Sequence, residues 1–384
     1  MMQNWLLPEY IEDIMPAEAA RIERFRRQLL DLFALNGYRY VIPPMLEYTE
    51  SLITGVASDL DLATFKVVDQ LTGRLMGVRA DITPQTARID AHMLNQNGVT
   101  RLCYAGTVLR TRPDGLARTR EPLQIGAEIY GHAGIASDIE VYSMAVKALQ
   151  ELGLTGIHLD FSHVEIFESL VQHAKIDTAL ENELYAALQS KDKLQVATLA
   201  VNLDAASKDA LLALTELYGG ANILQKARTV LPKQPAIQKA LDELQAVADA
   251  LKGVDVGFDL SELRGYHYHS GIVFAAYASG YTGPLALGGR YDEVGRAFGR
   301  ARAATGFSLD LRGVVQALPT APLPVAILAP ANNSADLQAA IESLRQEGEI
   351  VVQLLPGEES SAGELGCDRR LELVGDLWQV KNIH

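Results

Sequence analysis

The stretch Leu263-Arg264-Gly265-Tyr266-His267-Tyr268-His269-Ser270-Gly271-Ile272-Val273-Phe274 decides how the rest of the chain is read. Its first half gathers a guanidinium, imidazoles and phenols around one glycine. Its second half runs on to Tyr277 as a strand-like apolar segment. Polar groups at a strand end project together onto one face of a sheet. Alone, such a cluster reads more simply as a solvated turn, because charged side chains are mostly exposed. Its meaning comes from three similar clusters upstream: Arg79-Ala80-Asp81-Ile82-Thr83, then Arg110-Thr111-Arg112 with Arg118 and Arg120, then Gln124-Ile125-Gly126-Ala127-Glu128. Each sits among strand formers.

Working outward, residues 17–36 repeat apolar positions at helical spacing (Ile22, Phe25, Leu29, Leu32, Phe33) and stop at Asn36-Gly37. Tyr38 to Pro44 reads as a short strand, Phe65 to Val68 and Arg74 to Arg79 as two more, and Thr83-Pro84 opens a helix to about Leu94. Residues 101–110 and 122–131 form a hairpin with a long charged loop turning at Asp114-Gly115. Ser137-Asp138-Ile139-Glu140 has the pattern of a capping box before a helix to Leu152, and His158 to Val164 is strand-like. Residues 165–250, rich in Ala, Leu, Lys, Glu and Gln, predict a helical insertion. Val254 to Leu260 and Gly271 to Tyr277 return to strand, Gly288-Gly289-Arg290 leads into a helix from about Asp292, and 305–317 reads as strand then helix. Leu318 to Leu323, with Pro319 and Pro322 and followed by Pro324, is a linker to a small strand–helix–strand module. The expected domains are a core over 1–318 and a small α/β domain over 324–384. Antiparallel pairs with helices grouped to one side predict an α+β fold.

Composition sets bounds. The chain has 384 residues, 48% hydrophobic and 21% charged, with a net charge of −14. The acidic balance weighs against a phosphate-binding surface for nucleic acid. No apolar run approaches the ~18 residues of a membrane span, and the first ten residues lack a secretory pattern. Cys103 and Cys367 are far apart with no metal-ligand spacing, so reduced thiols in a cytoplasmic protein are expected and no metal site. The phosphate-loop, dinucleotide, zinc-protease and nucleophile-elbow patterns are all missing from the sequence.

The clusters occur in an order that resembles class II aminoacyl-tRNA synthetases, histidine branch, over about residues 8–317. Pro43-Pro44-Met45-Leu46-Glu47 resembles motif 1, whose Pro lies at a dimer interface, with Pro44 and Glu47 in those positions. Arg110 through Glu128 resembles motif 2, and Leu263 to Phe274 the histidine-specific Arg-Gly-x-x-Tyr-Tyr segment. Gly288-Gly289-Arg290-Tyr291-Asp292 and Thr305-Gly306-Phe307-Ser308-Leu309 resemble the approach to motif 3. The resemblance implies an antiparallel sheet flanked by helices and a site for free histidine. Arg264 and Arg110 would take the carboxylate, as an Arg fork suits it, with Gln124 assisting. Asp81 and Thr83 would hold the ammonium, Glu128 would accept from the imidazole, and Tyr268 would line the ring pocket with His269 and Tyr291 nearby. His269 stands where the family has its second Tyr, and Asp81 where a longer Glu is usual.

Other departures concern ATP rather than histidine. The family's Gly-Leu-Glu-Arg reads Asp310-Leu311-Arg312-Gly313, so Gly313 replaces the triphosphate-binding Arg. Arg312, one residue earlier, points about 100° away on a helix. Arg112 stands where the family has an acidic residue that accepts from adenine, and a guanidinium accepts nothing. This pattern is similar to the ATP phosphoribosyltransferase regulatory subunits, a synthetase-like family. The resemblance implies a chain without catalysis of its own and without cofactor. It implies one that binds L-histidine, self-associates as a dimer, joins the short-form catalytic subunit in a hetero-oligomer, and mediates feedback by histidine. Two alternatives remain open at this level: a working histidine–tRNA ligase, and a non-catalytic tRNA-binding module.

Overall fold

The first long helix forms where the sequence spaces it. Ile22, Phe25, Leu29 and Phe33 lie buried along Pro16–Leu35, with Pro16 in the first turn, where its missing N–H costs nothing. In the computed structural model of the chain, residues 6–53, 58–113, 119–319 and 325–383 are described. The chain divides into two units, Met1–Leu318 and Pro319–His384. The Asp114-Gly115 turn, Arg118 and most of the proline-rich linker lie outside the described residues.

The strands are β1 (Arg39–Tyr40), β2 (Leu46–Tyr48), β3 (Phe65–Val68), β4 (Leu75–Val78), β5 (Thr100–Thr107), β6 (Leu123–Tyr130), β7 (His158–His163), β8 (Tyr218–Gly219), β9 (Asp255–Asp259), β10 (Ile272–Tyr277), β11 (Ala286–Arg290) and β12 (Ala304–Asp310) in the first unit. Nine of them form one sheet in the order β1-β5-β6-β12-β11-β10-β7-β9-β8. From β5 across to β7 every pairing is antiparallel, which makes this an α+β fold. β2, β4 and β3 make a separate small sheet. The helices Pro16–Leu35 and Ile135–Glu151 cover one face of the large sheet, with Tyr142 against Phe161 and Phe274 and Phe33 edge-on to Phe307. That leaves the opposite face of β6, β10, β11 and β12 for a site.

Six helices between Val164 and Ala250 build the insertion. Asp177, Asp192 and Asp204 each cap one by accepting a backbone N–H at 2.9, 2.9 and 3.0 Å. The buried His163 ties the insertion to β7. Its Nδ1 accepts from the Glu165 N–H, and its Nε2 donates to Glu243 at 3.0 Å.

Several local expectations are corrected. The Ser137–Glu140 capping box does not form: the helix begins at Ile135, Ser137 donates back to the Gly134 carbonyl, and Asp138 is buried against Arg290. Thr83–Leu94 is not one regular helix but an α-helical turn to Arg88 followed by a wider π turn, Ile89–Leu94, that ends at left-handed Asn95. Gly288-Gly289-Arg290 is itself strand, pairing with β10 and β12, and only a short 3-10 turn, Val294–Phe298, follows. The strand expected over Tyr38 to Pro44 is reduced to two residues.

The second unit has β13 (Ala326–Ala329), a helix Ala335–Gln346 capped by Ser334, β14 (Val351–Gln353), and a hairpin of β15 (Cys367–Val374) and β16 (Leu377–Asn382). The order β14-β13-β15-β16 mixes parallel and antiparallel pairs around a core of Ile327, Leu337, Ile341 and Leu371. The hairpin was not read from sequence. Its strands mix charged and apolar residues without a regular alternation and face solvent for much of their length.

Candidate ligand-binding site

β6 brings Gln124 and Glu128 onto one face because side chains two apart share a face. β12 lies beside it with Gly306 opposite Glu128 and Phe307 opposite Ala127. A Cβ at Gly306 would sit 1.6 Å from Glu128 Oε2, so only glycine leaves room for that carboxylate. Here a cavity of about 230 Å³ opens, below the ~300–1,000 Å³ typical of drug-sized ligands. Asp81, Thr83, Arg110, Gln124, Glu128, Arg264, Tyr268, His269 and Tyr291 all line it.

At the deep end Glu128 is 1% exposed. Its Oε1 accepts from the Tyr104 hydroxyl at 2.9 Å and from Thr83 at 3.3 Å. Its Oε2 is buried without a hydrogen-bond partner, as are the hydroxyls of Tyr268, Tyr291 and Tyr130. Burial pushes the Glu128 carboxyl well above its ordinary range, with the nearby Asp81 adding to the shift and the Tyr104 and Thr83 hydrogen bonds opposing it. The rings of Tyr268 and Tyr291 lie 5.1 Å apart, and His269 stands edge-on to Tyr268 at 5.2 Å. Burial drives the His269 imidazole down to about 4, so it is neutral near pH 7, with its Nδ1 bonded to the Gly265 carbonyl.

At the mouth are the cations. Arg264 pairs with Glu262 at 3.4 Å with its side chain 45% exposed. Arg110 spans from Ala80, whose carbonyl its Nε contacts at 3.4 Å, to the cavity. The loop that carries Arg264, Tyr268 and His269 turns at Gly265 with φ +67°. Its other side is fastened to the insertion: Tyr266 donates to Glu181 at 2.9 Å and its ring meets Phe167 and Tyr185 at 5.2 and 5.8 Å.

Some expected contacts take another form. The Gln124 amide is already engaged, accepting from the Ile82 N–H at 2.8 Å and donating to Asp81 at 2.8 Å and Ser308 at 3.2 Å. Both of its amide hydrogens are thus engaged within the protein, on Asp81 and Ser308. One Asp81 oxygen also accepts the Thr83 N–H at 2.9 Å. Arg79 does not reach the cavity: it bridges the Pro43 and Thr107 carbonyls at 2.7 and 2.9 Å. Arg112 is exposed beside an adjoining cavity shared with Arg110 and Arg264. Arg312 turns away, buried against Glu12 at 2.9 Å and Thr119 at 3.5 Å. Arg120 lies over the Phe65 ring, and Arg300 and Arg302 bond to Asn95 and Asp90. Pro44 and Glu47 lie apart from the cavity. The Pro44 carbonyl and Glu47 both accept from Gln85 at 2.7 Å, and Glu47 also accepts from Arg88, beside exposed Ile42, Met45 and Leu46.

Sequence reading missed Tyr104, Asp160, Glu262 and Ser308. Tyr104 left one signal: it faces Gly126 across β5 and β6, and a Cβ there would meet its hydroxyl at 2.6 Å. Among the described residues no helix is long and apolar enough to cross a membrane, and no cluster of His, Cys, Asp and Glu is arranged to hold a metal ion.

Comparison with known proteins fits this geometry. Residues 10–314 match the family model described as histidyl-tRNA synthetase, and residues 324–381 match that of the ATP phosphoribosyltransferase subunit HisZ C-terminal domain. The chain is 63% identical to the ATP phosphoribosyltransferase regulatory subunit of Methylobacillus flagellatus, covering 99% of this chain and 98% of that one. It is 54% identical to the one from Cupriavidus necator, covering 99% of each. A crystal structure from Bacillus halodurans, titled as an ATP phosphoribosyltransferase regulatory subunit/histidyl-tRNA synthetase, superposes with TM-score 0.81 at 27% identity over 94% of this chain and 96% of that one. Histidyl-tRNA synthetase from Nostoc sp. PCC 7120 shares the fold, with TM-score 0.80 at 16% identity over 99% and 95% of the two chains.

Proposed function

The chain belongs to the ATP phosphoribosyltransferase regulatory subunits, and from that premise we propose that its cavity is the histidine sensor through which the product of the pathway restrains its first enzyme. The role is regulatory, in histidine biosynthesis, and the chain is not a catalyst on its own. It works in a hetero-oligomer with the catalytic subunit. The observation that carries the histidine reading is the buried Oε2 of Glu128, an acceptor without a protein donor at the end of a small aromatic cavity whose mouth holds Arg110 and Arg264. An imidazole N–H satisfies that acceptor, and the amino acid's carboxylate suits the guanidinium groups. Asp81 and Thr83 line the same cavity and would take the ammonium. Histidine then acts by a coupling free energy: it prefers one arrangement of the complex, in which catalysis is disfavoured.

Besides His269 and Asp81, the departures from a synthetase fall on its adenine and triphosphate contacts. Arg112 replaces an acceptor, Gly313 replaces a cation, and Arg312 is held by Glu12. Calorimetric titration of L-histidine into the purified chain tests the reading, run beside histidine-dependent exchange of pyrophosphate into ATP. Saturable histidine binding without exchange is expected; exchange at an enzyme-like rate would make the chain a ligase. Arg264→Ala is expected to weaken histidine by about 10–100-fold, the worth of a charge-assisted bond. It should leave the thermal midpoint nearly unchanged, because Arg264 is half exposed and its ion pair is with a near neighbour, Glu262, at the surface. An unchanged histidine affinity would remove Arg264 from the site.

Self-association as a dimer is part of the same proposal. Pro44 and Glu47 border an exposed apolar strip in which Ile42 is 76% exposed, with Met45 and Leu46 beside it. Ile42→Glu is expected to sediment as a smaller species than the unsubstituted chain; an unchanged species would place the dimer contact elsewhere. The two cysteines, both buried and free, fit a reducing cytoplasmic setting.

A further inference from the structure

We propose that Tyr104 is the positioning residue that makes the cavity selective for an imidazole over a ring of the same shape without an N–H, by fixing which oxygen of Glu128 faces the ligand. This rests on the histidine reading above and deepens it.

Tyr104 sits on β5, fully buried, one strand behind the cavity. It is not among the residues that line the cavity. Its hydroxyl is at the centre of a three-member chain: 2.9 Å from Thr83 Oγ1 and 2.9 Å from Glu128 Oε1, with Thr83 also 3.3 Å from that same oxygen. Tyr104 donates to Oε1, Thr83 gives its one hydrogen to Tyr104 or to that same oxygen, and nothing donates to Oε2. An unconstrained carboxylate can rotate and offer either oxygen. One whose Oε1 is held by a rigid phenol offers only Oε2, in one direction, toward the Gly306 side of the cavity, where a Cβ would lie 1.6 Å away. The phenol is itself immobile. It fills the space that Gly126 leaves, where a Cβ would come within 2.6 Å of its oxygen, and its ring packs with Ile82 and Val108. A donor that holds the acceptor and never meets the ligand sharpens discrimination, because a ligand ring without N–H leaves Oε2 buried and unpaired.

The test is a set of calorimetric titrations of the full chain with L-histidine and with β-(2-thienyl)-L-alanine, whose five-membered ring has no N–H. Tyr104→Phe removes only the hydroxyl and keeps the ring in its slot. The unsubstituted chain is expected to favour histidine strongly. Tyr104→Phe is expected to lose about tenfold or more in histidine affinity and about twofold or less for thienylalanine, so that discrimination narrows. Equal losses for both ligands would mean a purely structural role and overturn the proposal, as would no loss for either. A second comparison guards against a general weakening of the fold. In a Glu128→Gln background, adding Tyr104→Phe is expected to change histidine affinity by no more than about twofold. A full tenfold loss in that background would show that Tyr104 acts through something other than Glu128. If the unsubstituted chain binds no histidine at all, the histidine reading itself fails and Tyr104's role falls with it. If histidine binds but thienylalanine binds equally well, the histidine reading stands and only the selectivity proposal fails.

Discussion

A Glu128→Gln chain melts at a higher temperature than the unsubstituted chain near and above neutral pH, and binds histidine about 100-fold more weakly. Both effects come from one atom. Glu128 is 1% exposed, and among the described residues no cation contacts it and its Oε2 has no partner. Its carboxyl titrates above the ordinary 4.5 because burial disfavours the charge. The folded state therefore holds that proton to higher pH than the unfolded state does. The carboxylate's contribution to stability is intact below about 4.5 and falls as pH rises through the raised folded value. Glutamine escapes this loss, so the gap between the two melting curves widens with pH. For the ligand the change is adverse. With its carbonyl toward Tyr104, the amide presents N–H where the imidazole also presents N–H, and two donors face each other. Thermal melts from pH 5 to 8 with histidine titrations at each pH check both halves. A Gln chain that is no more stable, or that binds histidine as before, contradicts this account of Glu128. A gain in stability with loss of ligand is the expected mark of a residue kept for function.

Arg290→Ala has the largest expected effect on stability, a loss of ~3–5 kcal/mol, the usual result of breaking a buried ion pair from one side. Arg290 is 8% exposed and meets Asp138 at 2.6 and 3.1 Å, with Asp138 2% exposed. The same guanidinium donates to Ser137 at 3.0 Å, Asp292 at 3.1 Å and the Gly134 and His132 carbonyls at 3.3 and 3.4 Å. It joins the start of the Ile135–Glu151 helix to the end of β11, next to Tyr291 in the cavity. Even with this partner, burial keeps the Asp138 carboxyl above its usual range. Without Arg290 it would take up a proton rather than remain a buried lone charge. Urea denaturation measures the loss. A second substitution, Asp138→Asn, should recover part of it, because the cost of neutralising that buried carboxyl accounts for much of the loss. A single-variant loss under ~1 kcal/mol would show the pair to be dispensable.

Arg290 also shows where sequence reading stops. Gly288-Gly289-Arg290-Tyr291-Asp292 was visible as a motif, but its Arg reads equally well as a ligand contact or a structural bond. Its partner Asp138 lies 152 residues away on a helix whose first turn imitates a capping box. The same limit applies to Gln124, which the resemblance offers as a ligand contact and the fold spends on Ile82 and Asp81. Helical periodicity with a stop at Asn36-Gly37 was enough for Pro16–Leu35, and helix-forming composition for the insertion, because their hydrogen bonds are local. Tyr104 could not be found as a functional group, because the pairing that sets it behind Glu128 is a sheet register. Only the Gly126 across from it hinted at a crowded neighbour. The hairpin Cys367–Asn382 was lost for a different reason: much of it faces solvent, so it lacks the clean apolar alternation of a half-buried strand.

The most direct test of the sensor account is the initial rate of a short-form ATP phosphoribosyltransferase catalytic subunit, measured as this chain is titrated in, with and without L-histidine. The account predicts that the rate rises with the chain to a stoichiometric plateau, that histidine lowers the plateau, and that the Glu128→Gln chain still activates but responds only to about 100-fold more histidine. A Glu128→Gln complex inhibited by histidine at the unsubstituted concentration would contradict it and place the sensor outside this cavity.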